Sequence, residues 1–209
     1  REASVFAFCD GSNLLMAAPA CDYKPVYDDN KGPNTGGMGG YSPPEFLSPE
    51  ALKTVEERIM RPALRAMQQE GRPFTGVLYG GLMVTAEGPK ALEFNCRLGD
   101  PEAQVLLPRL KNDLLDVIEA CLAGNVGRLA LEWREEACVG VVLASPGYPG
   151  GYPGGLPISG LESVDPEAMV FHAGTALGED GLVTSGGRVV TVAALGATDW
   201  TEREQTIKP

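Results

Sequence analysis

The stretch that decides the fold joins a strand to a helix and reads Glu93-Phe94-Asn95-Cys96-Arg97-Leu98-Gly99-Asp100-Pro101-Glu102. Residues 75–84 and 90–95 have the composition of two strands, and the turn sequence Ala86-Glu87-Gly88-Pro89 between them predicts a hairpin. Asp100 then begins a helical segment as its predicted N-cap. A hairpin that leads directly into a helix is typical of an antiparallel sheet with helices packed against it.

The polar side chains of this stretch are candidates for a metal and phosphate site. Alternation along a strand predicts that Glu93, Asn95 and Arg97 project from one face, and Phe94 and Cys96 from the other. A carboxylate and an amide oxygen two residues apart suit Mg²⁺ held together with nucleotide phosphates. An arginine on that face could neutralise a phosphoryl or carboxylate group. A solvent-facing edge strand shows the same pattern, so the residues alone leave both interpretations open.

Local signals place further elements before this stretch. Residues 3–16 are predicted to form a hairpin around the turn Asp10-Gly11-Ser12-Asn13. Ser48 is the predicted N-cap of a helix that Gly71 ends. Because proline lacks the amide hydrogen that a helix interior needs, Pro62 should kink that helix or divide it.

The second half of the chain changes character near residues 125–135. Asp113 to Leu122 is predicted as an amphipathic helix closed by Gly124. Beyond it the pattern predicts short strands, at 138–144, 169–172 and 188–194. The fold class that follows is α+β.

Composition limits the class of protein. The 209 residues include 17 Lys+Arg and 28 Asp+Glu, a net charge of −11, which argues against nucleic acid as a partner because such binders present a basic face. Apolar runs such as Val141 to Ala144 are far shorter than the roughly 20 residues of a membrane span, so no membrane partner is expected. The five cysteines are odd in number and form no CxxC. They fit reduced thiols, and a cytoplasmic location is expected.

A second candidate site lies in residues 19–44, which show no periodicity and are predicted to be a long loop. Four of the five residues at positions 36–40 are glycine, and the fifth is Met38. Glycines let the backbone approach a ligand closely and can aim successive N–H groups at an anion. Lys24 and Lys31 add positive charge. A solvated surface loop is the alternative interpretation.

Two motifs together resemble one enzyme family. Gly32-Pro33-Asn34-Thr35-Gly36-Gly37-Met38-Gly39, followed by the stretch from Glu93 to Glu102, resembles the phosphoribosylamine–glycine ligases, which are ATP-grasp enzymes of purine biosynthesis. Shorter segments match the same family: Tyr79-Gly80-Gly81-Leu82-Met83, Gly147-Tyr148-Pro149-Gly150, Phe171-His172-Ala173-Gly174-Thr175 and Gly186-Gly187-Arg188-Val189. The resemblance therefore runs along nearly the whole chain.

The resemblance implies an activity and a set of site residues. The activity is ATP-dependent joining of glycine to 5-phosphoribosylamine through glycyl phosphate, giving glycinamide ribonucleotide, ADP and phosphate. Glu93 and Asn95 match the family's ligands for Mg²⁺ or Mn²⁺, Arg97 matches the position that contacts the transferring group, and Glu2 is expected to bind the nucleotide. The residues implied to bind the small substrates are Asp22, Lys24, Asn34, Thr35, Gly36, Gly37, Met38, Gly39, Asp100 and Glu102.

The resemblance also implies how the chain is organised. Residues 1–128 correspond to the C-terminal portion of an ATP-grasp domain, and residues 129–209 to an incomplete β-rich C-terminal domain whose segment 199–209 departs from the family pattern. The family's N-terminal domain and lysine-bearing ATP-grasp subdomain would precede residue 1 in the same chain. The 209 residues alone are therefore expected to be inactive. The alternatives are a non-catalytic module that binds metal and phosphate ligands or complements a partner chain, and a sister ATP-grasp ligase with another substrate.

Overall fold

The computed structural model describes residues 1–197, which form two compact units. The first unit comprises Arg1–Cys21, Ser42–Gly99 and Arg109–Arg134. The second unit comprises Asp22–Tyr41, Asp100–Pro108 and the chain from Glu135 onward. The two units are therefore interleaved along the sequence, and the division into domains 1–128 and 129–209 stays a prediction.

Within residues 1–197 the chain forms four α-helices and thirteen strands. The helices are α1 (Pro49–Val55), α2 (Arg61–Gln69), α3 (Glu102–Leu106) and α4 (Leu114–Leu122). The strands are β1 (Glu2–Asp10), β2 (Leu14–Met16), β3 (Cys21–Asp22), β4 (Pro25–Tyr27), β5 (Lys31–Asn34), β6 (Gly39–Ser42), β7 (Thr75–Thr85), β8 (Gly88–Asn95), β9 (Ala137–Ala144), β10 (Ala168–His172), β11 (Thr175–Gly178), β12 (Gly181–Thr184) and β13 (Arg188–Gly196). The mixture of antiparallel sheets with few helices confirms the predicted α+β class.

The first unit is built on a four-stranded antiparallel sheet with the order β2-β1-β7-β8. Both predicted hairpins are confirmed, β1 with β2 and β7 with β8. The carboxylate of Asp10 accepts hydrogen bonds from the backbone N–H groups of Ser12 and Asn13, which holds the first turn. Strand β8 is an edge strand, as the alternative interpretation of its polar pattern required.

Helices α1 and α2 belong to one helical run that covers one face of this sheet. Ser48 Oγ accepts a hydrogen bond from the N–H of Ala51 at 3.2 Å, so the predicted N-cap is confirmed. A π-helical segment, Glu56–Met60, separates α1 from α2 just before Pro62. The α-helical pattern is therefore interrupted next to Pro62, in line with the prediction that this proline kinks or divides the helix. The run packs Val55, Met60 and Leu64 into the core with the inward positions of β1, which are Ala3, Val5, Ala7 and Cys9.

Helix α4 also belongs to the first unit and begins as predicted. Asp113 accepts a hydrogen bond from the N–H of Leu115 at 2.8 Å, and Gly124 follows the helix with φ +71°. Val117 and Cys121 are its buried residues.

The second unit is built on a five-stranded sheet with the order β10-β13-β9-β6-β3. The three predicted strands of the second half are confirmed as β9, β10 and β13. Two small ribbons, β4 with β5 and β11 with β12, were not predicted. The long loop predicted for residues 19–44 is wrong, because this segment contains four short strands, two of which join the large sheet.

Helix α3 begins one residue later than predicted and without the predicted cap. Pro101 occupies the N-cap position and makes no side-chain capping bond. Asp100 accepts a hydrogen bond from Gln104 Nε2 instead, at 2.8 Å. The prediction of Asp100 as N-cap is therefore wrong.

No helix among residues 1–197 is long and apolar enough to cross a membrane. The expectation about residues 199–209 lies outside the described residues.

Candidate functional site

Glu93 and Asn95 lie close together at the C-terminal end of β8. Asn95 Nδ2 donates a hydrogen bond to Glu93 Oε1 at 3.0 Å, which confirms that the two side chains share one face of the strand. Glu93 is exposed and Asn95 is half-buried. The pair thus presents a carboxylate and an amide at one point of an open surface.

The neighbouring strand leaves room for this pair. Gly81 of β7 pairs with Glu93, and a Cβ built on Gly81 would lie 3.0 Å from Glu93 Cγ. Contacts of 3.0 Å between carbons are shorter than van der Waals separation allows. A side chain at position 81 would therefore displace the Glu93 side chain.

A β-bulge lies next to the pair. Gly81 pairs with Glu93 while Leu82 pairs with Ala91, so Leu92 is the additional residue of β8. Bulges bend a strand locally and redirect its side chains, and they occur frequently beside active sites. Sequence reasoning missed this bulge, because nothing in the local composition distinguishes it from regular alternation.

A buried pair of hydroxyl groups lies on the same face of the sheet. Tyr79 pairs with Asn95 across β7 and β8, and Ser4 pairs with Gly81 across β1 and β7. The Ser4 and Tyr79 oxygens are 2.9 Å apart and buried, and the Phe6 ring contacts the Tyr79 ring edge-on. Sequence reasoning missed this pair. The available signal was the position of Ser4, a polar residue between the apolar residues Ala3 and Val5 of a strand.

Glu2 lies two residues before Ser4 and therefore on the same face of β1. It is half-buried and pairs with Met83 of β7. Its expected contact with a nucleotide stays a prediction.

Arg97 does not continue the strand. Strand β8 ends at Asn95, and Arg97 Nη1 donates a hydrogen bond to the carbonyl oxygen of Leu98 at 3.0 Å. The prediction that Arg97 shares the face of Glu93 and Asn95 therefore extends two residues beyond the strand and stays a prediction. Its guanidinium is exposed and its predicted contact with the transferring group remains a prediction.

An apolar cavity of about 370 Å³ lies between α2 and the edge of the sheet. Phe94 and Cys96, which alternate with Asn95, contribute to it together with Leu64, Met67 and Leu78. Asn95 lines the same cavity, so the orientation of Phe94 and Cys96 away from Glu93 stays a prediction.

In the second unit, Asp22 and Lys24 form an ion pair with 3.0 Å between Lys24 Nζ and Asp22 Oδ1. The Asp22 side chain is 5% exposed and the Lys24 side chain 35% exposed. Burial on one side makes this pair more rigid than the surface pair of Lys31 with Asp29, whose side chains are both more than two-thirds exposed.

The amides around the glycine motif are used within the second unit. The N–H groups of Thr35 and Met38 donate to the carbonyl oxygens of Lys24 and Tyr23. The N–H of Gly36 donates to the Tyr148 hydroxyl, and the N–H of Gly37 donates to Thr35 Oγ1. The prediction that successive N–H groups of this segment face an anion is wrong for these four residues.

Close packing explains the glycines of this segment instead. Gly37 has φ +114°, and a Cβ there would lie 2.4 Å from Cδ of Pro101. A Cβ on Gly39 would lie 2.5 Å from the carbonyl oxygen of Gly140 in β9. Glycine is required at both positions because the backbone approaches its neighbours more closely than any side chain permits.

The remaining predicted substrate residues also lie in the second unit. Asn34 ends β5 and pairs with Pro25, while Met38 accepts a hydrogen bond from the N–H of Val142 at its carbonyl oxygen. Glu102 is only 4% exposed in the first turn of α3. The structure thus groups Asp22, Lys24, residues 34–39, Asp100 and Glu102 in the second unit, and Glu2, Glu93, Asn95 and Arg97 in the first.

Two family models match the chain. Residues 1–103 match the ATP-grasp (A) domain of phosphoribosylglycinamide synthetase, and residues 138–207 match its C domain. Because the second match reaches residue 207, the expectation that residues 199–207 depart from the family is wrong.

Curated relatives include a phosphoribosylamine–glycine ligase and a trifunctional purine biosynthetic protein. The chain is 51% identical over 196 residues to the phosphoribosylamine–glycine ligase of Caldanaerobacter subterraneus subsp. tengcongensis, covering 94% of this chain and 47% of the relative. It is 49% identical over 197 residues to the trifunctional purine biosynthetic protein adenosine-3 of Gallus gallus, covering 93% of this chain and 20% of the relative. The chain spans about half the length of the curated ligase that it matches.

Solved structures share the fold. The phosphoribosylamine–glycine ligase of Thermotoga maritima superposes with a TM-score of 0.86 at 35% identity, covering 98% of this chain and 50% of that one. The N5-carboxyaminoimidazole synthase of Aspergillus clavatus superposes with a TM-score of 0.64 at 14% identity, covering 100% and 50%, which shows a common fold alone. With both domain matches in order along one sequence and a close structural relative across nearly all of it, the chain belongs to the phosphoribosylglycinamide synthetase family of ATP-grasp ligases.

Proposed function

We propose that the full-length product of this gene joins glycine to the amine of 5-phosphoribosylamine while ATP becomes ADP and phosphate. The observation that carries the proposal is the Glu93–Asn95 pair, two oxygen-bearing side chains held together on an open strand face in a chain of this family. In the proposed reaction the glycine carboxylate attacks the γ-phosphate, and the amine then displaces phosphate from glycyl phosphate. A purine-biosynthetic role follows from this reaction.

The donor set on β8 fits a divalent cation. The nitrogen and the oxygen of the Asn95 side-chain amide have nearly the same shape. A half-turn of this amide therefore places its oxygen, instead of its nitrogen, beside the Glu93 carboxylate. Among residues 1–197 no cluster of three or more His, Cys, Asp or Glu could hold a metal by itself. Mg²⁺ commonly uses only one or two carboxylates together with substrate phosphates and water.

Glu93 and Asn95 would therefore hold Mg²⁺ or Mn²⁺ with ATP, and the cation would neutralise charge on the phosphates. The Gly81 backbone supports this arrangement by leaving the space that the Glu93 side chain occupies. We further assign Glu2 to the nucleotide, on the same sheet face, and the exposed guanidinium of Arg97 to the negative charge of the transferring group.

The small substrates are assigned to the second unit. The buried carboxylate of Asp22 and the partly exposed ammonium of Lys24 offer a fixed pair of opposite charges. Such a pair complements a zwitterion such as glycine or an amino sugar phosphate. The segment from Asn34 to Gly39 supplies the adjoining backbone, together with Asp100 and Glu102 at the start of α3. The five free cysteines of residues 1–197 support a cytoplasmic location for this reaction.

The decisive experiment replaces Glu93 with Gln in the full-length product of the gene. The change keeps the shape of the side chain and removes the charge that binds the cation. We expect ADP formation that requires both glycine and 5-phosphoribosylamine in the unchanged protein, and a loss of at least a hundredfold in the variant. The melting temperature should stay the same because Glu93 is exposed.

Glu87→Gln is the matched control. Glu87 lies in the same hairpin, is exposed, and pairs only with Lys90 among the ion pairs that the structure describes. It should retain full activity. Equal activity of the Glu93 variant and this control would refute the metal assignment, and ADP formation independent of glycine would refute the ligase.

A further inference from the structure

One arginine of the second unit connects three stretches that are far apart in sequence. Arg188 Nη1 donates hydrogen bonds to the carbonyl oxygens of Gly36 at 2.9 Å, Gly37 at 3.4 Å and Asp100 at 2.7 Å. Its Nη2 donates to Asp100 Oδ2 at 3.0 Å. The Arg188 side chain is only 21% exposed. A guanidinium offers donors in a planar fork, and here that fork holds three backbone carbonyls and a carboxylate at once.

The glycine segment is shaped around this guanidinium. A Cβ on Gly36 would lie 3.1 Å from Cζ of Arg188, so the arginine packs directly on the backbone. The N–H of Gly36 donates a hydrogen bond to the hydroxyl of Tyr148 at 3.1 Å. Gly36 is thus held through its N–H by one side chain and through its carbonyl by another, which leaves little freedom for this part of the segment.

Asp100 is held from two sides in the same way. Gln104 Nε2 donates to Asp100 Oδ1 at 2.8 Å, and Arg188 donates to Oδ2. Both carboxylate oxygens are already bonded inside the second unit, so Asp100 contributes to the proposed substrate site by holding the backbone. Its carbonyl oxygen is bonded to Arg188 as well.

We propose that Arg188 is a positioning residue that holds residues 35–37 and Asp100 in the arrangement that receives the small substrates. The inference rests on the proposed function for the identity of those substrates, but the immobilisation of the segment is a property of the protein without ligand. Lysine cannot replace arginine in this role, because an ammonium is a compact point charge that cannot bridge carbonyls and a carboxylate in one plane.

The first test measures hydrogen exchange of the amides of residues 35–37 in the ligand-free, full-length product of the gene. Arg188→Lys and Arg188→Ala should both accelerate this exchange by at least tenfold, because the hydrogen bonds that restrain the segment are lost. Lys31→Ala is the control, since Lys31 lies in the same part of the chain and its side chain forms an exposed ion pair with Asp29. It should leave the exchange unchanged.

The second test measures steady-state kinetics of the same variants. Arg188→Lys should raise the KM of glycine or of 5-phosphoribosylamine by at least tenfold, while the KM of ATP stays within twofold. A residue that only stabilises the fold would change all KM values together or none. Asp100→Asn keeps a similar shape while removing the charge, so it should raise the same KM by a smaller factor. This variant also provides a test if Arg188→Ala does not fold.

Two results would overturn the inference. Exchange and KM values of Arg188→Lys equal to those of the unchanged protein would show that a positive charge alone suffices. An increased KM of glycine or 5-phosphoribosylamine, with unchanged hydrogen exchange of residues 35–37, would show that Arg188 acts on the substrate directly. A protein without ligase activity refutes the proposed function, and the exchange experiment still decides whether Arg188 immobilises the segment.

Discussion

Gly37→Ala is the substitution that tests most directly why the second unit has a glycine motif. At φ +114° an alanine adopts a backbone conformation that L-residues disfavour by about 1–2 kcal/mol. Its Cβ would also lie 2.4 Å from Cδ of Pro101. Because that atom belongs to a rigid ring, backbone must move, and overpacking of this kind costs about 1–3 kcal/mol. The expected loss in the free energy of unfolding is therefore about 2–5 kcal/mol.

Two further glycines of the same unit separate the two contributions. Gly155 has φ +75° with no atom within 4 Å of its Cβ position, so Gly155→Ala should lose only about 1–2 kcal/mol from backbone strain. Gly151 has open space and no such φ. Alanine there should be neutral or stabilise by up to about 1 kcal/mol, because it restricts the unfolded chain.

Urea unfolding followed by far-UV circular dichroism measures all three variants on the same chain. The expected order of destabilisation is Gly37→Ala, then Gly155→Ala, then Gly151→Ala. A Gly37 variant no less stable than the Gly155 variant would refute the steric argument, since the two positions share a positive φ and differ in the contact with Pro101.

Three further predictions concern the first unit. Leu82→Ala should lose about 2–5 kcal/mol in urea unfolding because Leu82 is fully buried, whereas Leu92→Ala, at 57% exposure, should lose no more than about 0.5 kcal/mol; equal losses would contradict the core assignment. Burial raises the pKa of the Cys9 thiol to about 12, so a thiol reagent at pH 8 should label exposed Cys96 rapidly and Cys9 only after unfolding, and rapid labelling of both would contradict this. Burial alone would raise the pKa of Asp10, but hydrogen bonds from the Asn13 and Ser12 amides hold it below its usual 3.8. A lowered pKa contributes stability that is present above about pH 4 and is lost as the pH falls through the folded-state value, so Asp10→Asn should be less stable than the unchanged chain at pH 6 and should lose less stability on acidification; parallel pH profiles would argue against it.

Several elements were predictable because their causes are local. Ser48 and Asp113 begin helices by bonding amides two or three residues away, and the Asp10 turn is closed within four residues. Such bonds depend on residue type and spacing alone, which a sequence displays directly. Alternation along β8 likewise predicted that Glu93 and Asn95 share a face, because the period of a strand is two.

The sequence predictions failed where segments distant in sequence supply the hydrogen-bond partners. The segment 19–44 lacks periodicity because its strands are only two to four residues long, and β6 is a strand only because β9, about a hundred residues later, pairs with it. Asp100 has the residue type of an N-cap, yet its carboxylate is taken by Gln104 and Arg188. Strand β8 ends two residues before Arg97, so strand alternation does not reach that residue.

The sequence by itself determined the fold class, both hairpins, the starts of α1 and α4, and the β8 pair, since each depends on interactions between near neighbours. Only the tertiary structure decided why the motif around Gly37 contains glycine and what Arg188 does. A glycine that permits close backbone packing and one that faces an anion are identical in sequence. The difference lies in which atoms stand opposite them, and here Pro101, Gly140 and the Arg188 guanidinium occupy that space.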